Sequence, residues 1–216
     1  MNMIGSKTLE TKRLILRSSN MYEQKRLWEV LMIPEVNKWY LTGNKKYAND
    51  LNHWSWDMQE KFFKSKVLNA KNSDVFCWSV FLKHEYTNSG VEEVIGQVSA
   101  QENGEDLSIR DVKWYIDPKY QGHGYATEAA SAMIDYMFRE VEIEKIVSGA
   151  VKDNEESCKI FEKLGFTKTH EETHGSPYTF YDGMLTFSHY DLNSKDYFNN
   201  KENTRKYQKI LTLTLR

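Results

Sequence analysis

The feature that most constrains this chain is a glycine-containing loop near its middle, within residues 111–129. A strand pattern runs to Ile116, Pro118 interrupts it, and Gly122 and Gly124 precede a run with helical apolar spacing. Glycine lets backbone N–H groups turn toward a ligand, and a helix N-terminus adds unpaired donors and roughly half a positive charge. The segment therefore predicts a strand–loop–helix unit that holds a pyrophosphate, and a glycine-rich turn without a ligand is the alternative.

Two common nucleotide-binding motifs do not describe this loop. A dinucleotide fingerprint counted from Gly122 requires a third glycine at a position where Thr127 stands. That fingerprint also requires a parallel βαβ start near the N-terminus, whereas this loop follows predicted hairpins. A Walker A loop requires Gly-Lys-Ser/Thr, which is absent. We therefore expect a phosphate ligand of another kind.

The hydrophobic pattern predicts the element order β-α-α-β-β-β-α-β-α-β-β. Hairpins come first and a βαβ-like unit follows, so we expect an α/β chain with a mixed sheet and helices on its faces. The predicted strands are residues 8–17, 75–82, 94–100, 107–116, 145–151, 166–170 and 185–192. Helices are predicted after a candidate N-cap at Ser19 or Asn20, over residues 51–62, after Gly124 and over residues 155–164.

Composition predicts a soluble globular protein. The chain has 216 residues, of which 40% are hydrophobic and 28% are charged, and these proportions fit one large domain. The net charge of −2 excludes a general polyanion binder, so we expect no nucleic-acid partner. The N-terminus lacks the apolar core of a signal peptide, and no stretch approaches the ~20 apolar residues of a membrane helix. We therefore expect a cytoplasmic protein without a membrane partner.

Cysteine spacing and the chain's polar end complete the predicted organisation. Cys77 and Cys158 form no CxxC or Cys/His cluster, which argues against a disulfide framework and a structural zinc site. We expect one domain over residues 1–192 and a polar C-terminal extension over residues 193–216. Residues 210–215 predict an extra strand that pairs with its own sheet or with a partner chain, so a monomer and a homodimer both stay open.

The loop resembles the acetyl-CoA loop of the GNAT superfamily of N-acetyltransferases, whose pattern is Gln/Arg-x-x-Gly-x-Gly/Ala. Gln121, Gly124 and Ala126 match that pattern in a strand–loop–helix context. Three further segments are similar to the RimJ/RimL-like branch, which acetylates protein N-termini and other amines. They are the opening strand over residues 9–17, the third strand over residues 94–98, and an Asn-x-x-Ser…Leu-Gly-Phe segment over residues 154–166.

This resemblance spans about residues 8–192 and implies a GNAT-like acyl-CoA N-acyltransferase fold, with a central, mostly antiparallel sheet and helices on both faces. It implies transfer of the acetyl group of acetyl-CoA to a primary amine by direct attack in a ternary complex. The acceptor stays open among a protein N-terminus, a lysine, a polyamine and an aminoglycoside. A non-catalytic module that binds or senses acyl-CoA is the alternative from a different functional class.

The resemblance also implies specific site residues. The strand end offers main-chain groups to the pantetheine arm and thioester, the loop cradles the pyrophosphate, and the next helix start faces the sulfur. The implied cofactor-binding residues are Trp114, Tyr115, Ile116, Gln121, Gly122, His123, Gly124, Tyr125, Ala126, Thr127, Asn154 and Ser157. Ser157 is the candidate donor to the thioester or thiolate. Asn154 also suits a plain N-cap, and the two roles are compatible.

The chain departs from the family pattern at two catalytic positions. Many members carry a tyrosine as general acid seven residues after the asparagine, and this chain has Phe161, which cannot donate a proton. The branch usually carries an aspartate four residues before the final-strand tyrosine, and Thr186 stands there. No motif assigns the general base. The chemically able residues are Glu102, Glu171, Glu172, His170, His174, Tyr178 and Tyr181.

Three other sets of residues are candidates for a role in binding or catalysis. His170 and His174 form an HxxxH pair, but Gly175 and Pro177 disfavour the helix that this metal-site spacing needs, so we expect no metal. Cys158 lacks the His or Asp spacing of an activated nucleophile. The aromatic residues of the second helix line either the core or an acceptor groove; they are Trp54, Trp56, Phe62 and Phe63.

Overall fold

The part of the chain that this computed structural model describes folds around one sheet of eight strands. It comprises residues 1–40, 55–57, 60, 61, 64, 75–175 and 183–200. The strands are β1 (Leu9–Glu10), β2 (Leu14–Arg17), β3 (Phe76–Leu82), β4 (Glu93–Glu102), β5 (Ile109–Ile116), β6 (Lys145–Val151), β7 (Thr167–Gly175) and β8 (Met184–Asn193). Their spatial order is β1-β2-β3-β4-β5-β6-β8-β7. Among these strands β5 and β6 are parallel and the other neighbours are antiparallel, which confirms the mixed, mostly antiparallel sheet.

Helices cover both faces of this sheet, as predicted. They are α1 (Met21–Leu31), α2 (Pro34–Tyr40), α3 (Tyr125–Tyr136) and α4 (Glu155–Lys163), and a π-helical turn, Met137–Val141, continues α3. Because alternate residues of a strand point to opposite faces, β5 packs Val112 and Trp114 on the side of α3 and Tyr115 on the side of α1 and α2. No helix in the described part of the chain combines the length and apolar character that crossing a bilayer requires.

The N-terminal segment differs from the single strand predicted over residues 8–17. It forms a hairpin in which β1 and β2 are antiparallel, with Leu9 opposite Leu16. The hydroxyl oxygen of Thr11 accepts a hydrogen bond from the Leu14 amide at 2.9 Å, and the Thr11 amide donates to the Leu14 carbonyl at 3.0 Å. A Thr side chain therefore closes this turn in place of the Gly or Asn that marks most tight turns.

The first helix begins where the sequence predicts it. Asn20 accepts a hydrogen bond from the Glu23 amide at 2.9 Å, and the Glu23 carboxylate accepts one from the Asn20 amide at 2.8 Å, which is a capping box. The sequence analysis did not predict α2, although Pro34 at its first position is a common helix-start signal. Arg26 of α1 pairs with the buried carboxylate of Asp117, so α1 is held against the end of β5.

The other predicted strands are present with shifted ends, and β7 extends to Gly175, well beyond the predicted end at residue 170. Within the helix predicted over residues 51–62, Trp56 is among the described residues and is helical. Its ring centroid lies 5.8 Å from that of Trp28. Trp54, Phe62 and Phe63 lie outside the described residues. The second helix is therefore supported only at the positions that the structure describes.

The beginning of the polar extension packs against the domain. Residues 194–200 are helical, which the sequence analysis did not predict. Tyr197 is 7% exposed, and its hydroxyl donates a hydrogen bond to Asp135 of α3 at 2.8 Å. This part of the extension therefore contributes to the core. The strand predicted over residues 210–215 lies outside the described residues.

Candidate active site

The loop that the sequence analysis singled out connects β5 to α3. Pro118–Tyr120 forms a 3-10 turn, after which Gly122 and Gly124 adopt φ angles of 78° and 80°. Gly124 is the N-cap of α3 in a left-handed conformation that favours glycine, and it provides no side-chain cap. The first backbone N–H groups of α3, beginning with that of Tyr125, therefore face the loop without a capping side chain. This arrangement suits an anion.

Side chains of the loop brace it and leave its outer surface exposed. The Gln121 side-chain amide donates to the Ile116 carbonyl at 2.8 Å, which ties the loop to the end of β5. The His123 ring stacks on Tyr125 at a centroid distance of 5.7 Å, and its Nδ1 lies 2.8 Å from the Gln121 carbonyl oxygen. The structure thus brings the predicted loop residues together, with the Gln121 side chain turned toward the protein.

Arg13 joins the N-terminal hairpin to this loop, and the sequence analysis did not identify that contact. Its guanidinium donates to the His123 carbonyl at 2.9 Å and lies 4.4 Å from the centroid of the Tyr125 ring. It also donates to Glu128, in the first turn of α3, at 2.7 Å. Burial alone would raise the pKa of Glu128, but hydrogen bonds from Thr11 and Arg13 outweigh burial and hold that pKa below its ordinary value. The loop therefore lies beside the guanidinium of an Arg13–Glu128 ion pair.

A crevice opens where β5 and β6 separate. Their parallel pairing covers three positions and ends with Asp111 opposite Val147. The Ser148 hydroxyl then donates to the Val112 carbonyl at 2.7 Å and bridges the two strands at the point of divergence. Residues 114–116 follow without a β6 partner in the described pairing, so main-chain groups of β5 line one side of the crevice. The predicted strand end therefore borders an opening that leads to the loop.

An aromatic stack forms the wall between the crevice and α4. Phe161 is 2% exposed, and its ring lies 4.7 Å from Trp114 and 4.6 Å from Tyr190, measured between centroids. Phe161 therefore fills the position of the common catalytic tyrosine as a core residue. The sequence analysis did not assign a site role to Tyr190. Burial and interaction with Cys158 raise the pKa of its phenol, so this hydroxyl stays protonated.

Asn154 and Ser157 lie at the start of α4, on the other side of the crevice. The Asn154 side chain accepts a hydrogen bond from the Ser157 amide at 3.4 Å, so the plain N-cap role of Asn154 is confirmed. Both residues are half-buried. The Ser157 hydroxyl has no hydrogen-bond partner among the described residues. It is therefore free to donate to a ligand.

Asp111 is a carboxylate at the mouth of the crevice that the sequence analysis did not single out. It shares the side of β5 that carries Tyr115, which packs toward α1 and α2. Burial raises the pKa of the Asp111 carboxyl above its ordinary 3.8, and the charge of Lys113 opposes that shift. A carboxylate in this setting accepts a proton more readily than an exposed one. The strand also carries Arg110 and Lys113, so no signal in the sequence singled out Asp111.

A polar cavity of about 290 Å³ lies on the same face, between β3, β4 and the chain that enters α1. In the β4–β5 register Ser99 lies opposite Lys113, so the cavity borders the strand that carries Asp111. The Gln24 side-chain carbonyl oxygen is buried and has no hydrogen-bond partner in the described part of the chain. The polar side chains that line the cavity include Ser19, Gln24, Ser79, Gln97 and Ser99.

The general-base candidates of the sequence analysis do not form one cluster: those in the described part of the chain lie on β4 and β7. Hydrogen bonds from Lys168 and Lys152 lower the pKa of Glu171 to about 2, which makes it a weak base. Glu102 is exposed at the end of β4. His170 and Glu172 lie together on β7, and the His174 ring stacks on Phe187. Tyr178 and Tyr181 lie outside the described residues.

Comparison with known proteins identifies the class of domain. The family model described as an acetyltransferase (GNAT) domain matches residues 13–167, which include the loop, both crevice strands and α4. The chain is 30% identical over 121 residues to the N-acetyltransferase 9-like protein of Nematostella vectensis, covering 54% of this chain and 58% of that protein. It is 41% identical over 59 residues to the spermidine N(1)-acetyltransferase of Escherichia coli (strain K12), covering 27% of this chain and 32% of that protein. Both matches span less than two thirds of the relative's length.

Solved structures with the same fold include the ribosomal-protein-S5-alanine acetyltransferase of Vibrio fischeri. The TM-score is 0.69 at 18% identity, and the superposition covers 88% of this chain and 98% of that chain. At this identity the likeness concerns the fold. The overall fold is therefore one that this chain shares with proteins of very different sequence.

Proposed function

The chain belongs to the GNAT acetyltransferase family, and on that premise we propose that it transfers the acetyl group of acetyl-CoA to a primary amine by direct attack in a ternary complex. The observation that carries the proposal is the crevice between β5 and β6, which leads to the helix start at Gly124. A cofactor with an anionic pyrophosphate and a long neutral arm matches an anion site joined to a free strand edge. The opening hairpin and the segment from Asn154 to Phe166 support the RimJ/RimL-like branch.

The reaction requires a neutral amine, because an ammonium nitrogen has no free electron pair. Lysine titrates near ~10.4 and an α-amino group near ~8, so a base must take up a proton from either. We assign this role to Asp111, which lies on the face of the polar cavity at the mouth of the crevice. The amine nitrogen then attacks the thioester carbonyl carbon, and the carbon–sulfur bond breaks.

The departing thiolate takes a proton from the Ser157 hydroxyl, by our assignment, and the proton that the attacking nitrogen loses as the amide forms restores that hydroxyl. Phe161 lacks a donor, whereas the Ser157 hydroxyl has no hydrogen-bond partner among the described residues and stands at the crevice. The main-chain groups of residues 114–116 are placed to bind the pantetheine arm and the thioester. Residues 121–127 are placed to bind the pyrophosphate, with Arg13 close behind the loop.

The acceptor is proposed to enter from the face of α1 through the polar cavity. Hydroxyl and amide oxygens such as that of Gln24 accept hydrogen bonds from an amine or ammonium group. The names of the similar proteins include a spermidine N(1)-acetyltransferase and a ribosomal-protein-S5-alanine acetyltransferase. A polyamine and a peptide with a free N-terminus are therefore the first two acceptors to compare.

The second candidate function is binding of acyl-CoA without turnover. Phe161 favours it, because this buried ring replaces the phenol that many family members use as an acid. The two candidates share the crevice and the loop. They differ in whether free CoA is released when an amine is present.

A thermal-shift titration with acetyl-CoA tests the shared part of the proposal, with NAD as the control ligand. A ligand at about 100 times its dissociation constant stabilises the folded state by roughly 2.7 kcal/mol. We expect acetyl-CoA to raise the Tm and NAD to leave it unchanged. No shift with acetyl-CoA would contradict both candidates.

Release of free CoA then separates the two candidates. The acceptors are spermidine, a peptide with an N-terminal alanine, a peptide with an internal lysine, and an aminoglycoside. Turnover with any one of them supports the acetyltransferase and identifies its acceptor class. Binding of acetyl-CoA without CoA release for every amine supports the non-catalytic module.

A further inference from the structure

Three side chains with metal-binding chemistry meet on β7 and β8. His170 and His189 are opposite each other in the strand register, and their rings stack at a centroid distance of 4.4 Å. Glu172 places its Oε2 atom 3.8 Å from His189 Nε2. One donor atom from each residue lies within 4.8 Å of the other two. The ligands of a tetrahedral zinc ion lie about 3.4 Å apart at bond lengths of ~2.1 Å, so binding requires the two stacked imidazole rings to turn out of their parallel arrangement and toward the ion.

Thr169 lies beside the Nδ1 atom of His170. The Thr169 hydroxyl donates to the His189 carbonyl oxygen at 3.3 Å, and its oxygen is 3.0 Å from His170 Nδ1, where it can accept a hydrogen bond. In the tautomer that carries the ring proton on Nδ1, the Nε2 atom of His170 keeps a free electron pair. Metal-binding histidines commonly hold their second nitrogen in this way. His170 is therefore prepared to act as a ligand through Nε2.

His189 contributes a buried donor atom, and the surrounding charges favour a cation. Its Nε2 atom is buried and has no hydrogen-bond partner within the described residues. A buried polar atom without a partner costs free energy, which a bound cation would recover. Glu172 supplies a negative charge at this point. The nearby Lys152 and Lys168 both pair with Glu171, which points to the opposite face of β7.

We propose that His170, Glu172 and His189 form a binding site for a divalent transition-metal ion of the zinc class. Two imidazoles and one carboxylate are a ligand set that zinc accepts, and three protein ligands leave one coordination position open. Nitrogen ligands disfavour calcium and magnesium, which prefer oxygen. The site lies on β7 and β8, and the crevice lies between β5 and β6. The two are neighbours, because the charge of His189 acts on the pKa of Asp111, the proposed base, but zinc binding itself requires no acetyl transfer.

Sequence spacing pointed to a different pair of histidines. The HxxxH motif joins His170 to His174, and for that pair the sequence analysis expected no metal. In the structure His174 stacks on Phe187 at a centroid distance of 4.6 Å and donates from Nδ1 to the Gly175 carbonyl. The partner of His170 is His189, which β8 supplies from the opposite strand. His174 is consequently a matched control, because it is a half-buried histidine on the same strand and outside the cluster.

Zinc binding to the untagged full-length protein tests this proposal. The protein is stripped with a chelator, dialysed, and titrated with Zn²⁺ by calorimetry, and the visible absorption of bound Co²⁺ reports nitrogen ligation. We expect one ion per chain. His189→Ala and Glu172→Gln each remove a ligand and should lower the affinity at least about 10-fold. Thr169→Val removes the outer partner of His170 and should lower it about 10-fold.

His174→Ala should bind zinc as tightly as the unmodified protein. Circular dichroism melting of each metal-free variant shows whether the fold is retained, and only folded variants are compared. Failure of the unmodified protein to bind zinc would overturn the proposal. Equal zinc affinity of His189→Ala and His174→Ala would overturn it as well, because the ion would then be bound elsewhere.

Discussion

The carboxylate of Glu128 accepts a hydrogen bond from Arg13 Nε at 2.7 Å, although the two residues are 115 positions apart in the chain. The same guanidinium donates to the His123 carbonyl within the loop. Arg13 thus links the N-terminal hairpin both to the loop and to the first turn of α3. A charge-assisted contact of this kind is stronger than an ordinary hydrogen bond, and it places a positive charge beside the proposed pyrophosphate site.

Gly124→Asp should abolish measurable acetyl-CoA binding. A carboxylate at this helix start would lie beside the pyrophosphate and would also engage Arg13, whose Nη2 atom is 3.6 Å from the position of the new Cβ. Two like charges 4 Å apart repel by about 4 kcal/mol at an effective dielectric constant of 20. We expect a loss of affinity of more than about 100-fold, measured by calorimetry. Gly104→Asp is the control, because Gly104 has a similar φ of 72° in the β4–β5 turn. Unchanged affinity in Gly124→Asp would contradict the placement of the cofactor.

Arg13→Ala should weaken acetyl-CoA binding by about 10-fold, which corresponds to ~1.4 kcal/mol. The variant removes the positive charge behind the loop and the donor to the His123 carbonyl. Calorimetry below the Tm measures the affinity. Arg139→Ala serves for comparison. Arg139 also forms an ion pair, with Asp135, but this pair lies at the C-terminal end of α3, whereas the loop lies at its N-terminal end. If both variants bind alike, Arg13 does not support the cofactor site.

Glu128 should make stability depend on pH in the acid range. Its pKa in the folded protein is below the ordinary 4.5, so its stabilising effect is present above pH ~4.5 and disappears as the pH falls through the lower folded value. Glu128→Gln should therefore lower the Tm at pH 7, and the difference from the unmodified protein should shrink toward pH 3. Glu156→Gln, at an 86% exposed side chain, should show little difference at either pH.

Ser157→Ala should slow acetyl transfer and leave cofactor binding nearly unchanged. General-acid assistance contributes 10²–10⁴-fold, so we expect kcat to fall about 100-fold while the acetyl-CoA affinity changes less than about 3-fold. Steady-state CoA release and calorimetry provide the two values. Ser108→Ala is the control, because that hydroxyl bonds to Asp106 in the β4–β5 turn. A normal kcat in Ser157→Ala would assign the proton donor elsewhere.

Asp111→Asn should lower kcat about 100-fold without lowering the Tm. The loss removes the proposed base. Stability should hold because burial disfavours the ionised carboxylate, so the neutral amide relieves a cost. Glu102→Gln, an exposed carboxylate at the end of the neighbouring strand, should retain full activity. A lower Tm together with a lower kcat would indicate a structural role for Asp111.

Local signals allowed much of the sheet and the loop to be predicted. Pro118 and the glycines punctuate residues 117–124, and an apolar run of helical period follows, so the strand–loop–helix unit is evident from near neighbours. Asn20 and Glu23 are spaced for a capping box, which the structure contains. The β1–β2 hairpin was missed because Thr11 makes its turn through a side-chain hydrogen bond, and no glycine or proline marks it.

The sequence by itself determined the order of most elements and the identity of the loop, because those signals arise within a few residues of one another. Only the tertiary structure decided where β5 and β6 part, which arginine supports the loop, and which histidine joins His170. Each of these depends on strand order and register between segments far apart in the chain. A one-residue change of register moves every side chain to the opposite face, so local patterns carry no record of these partners.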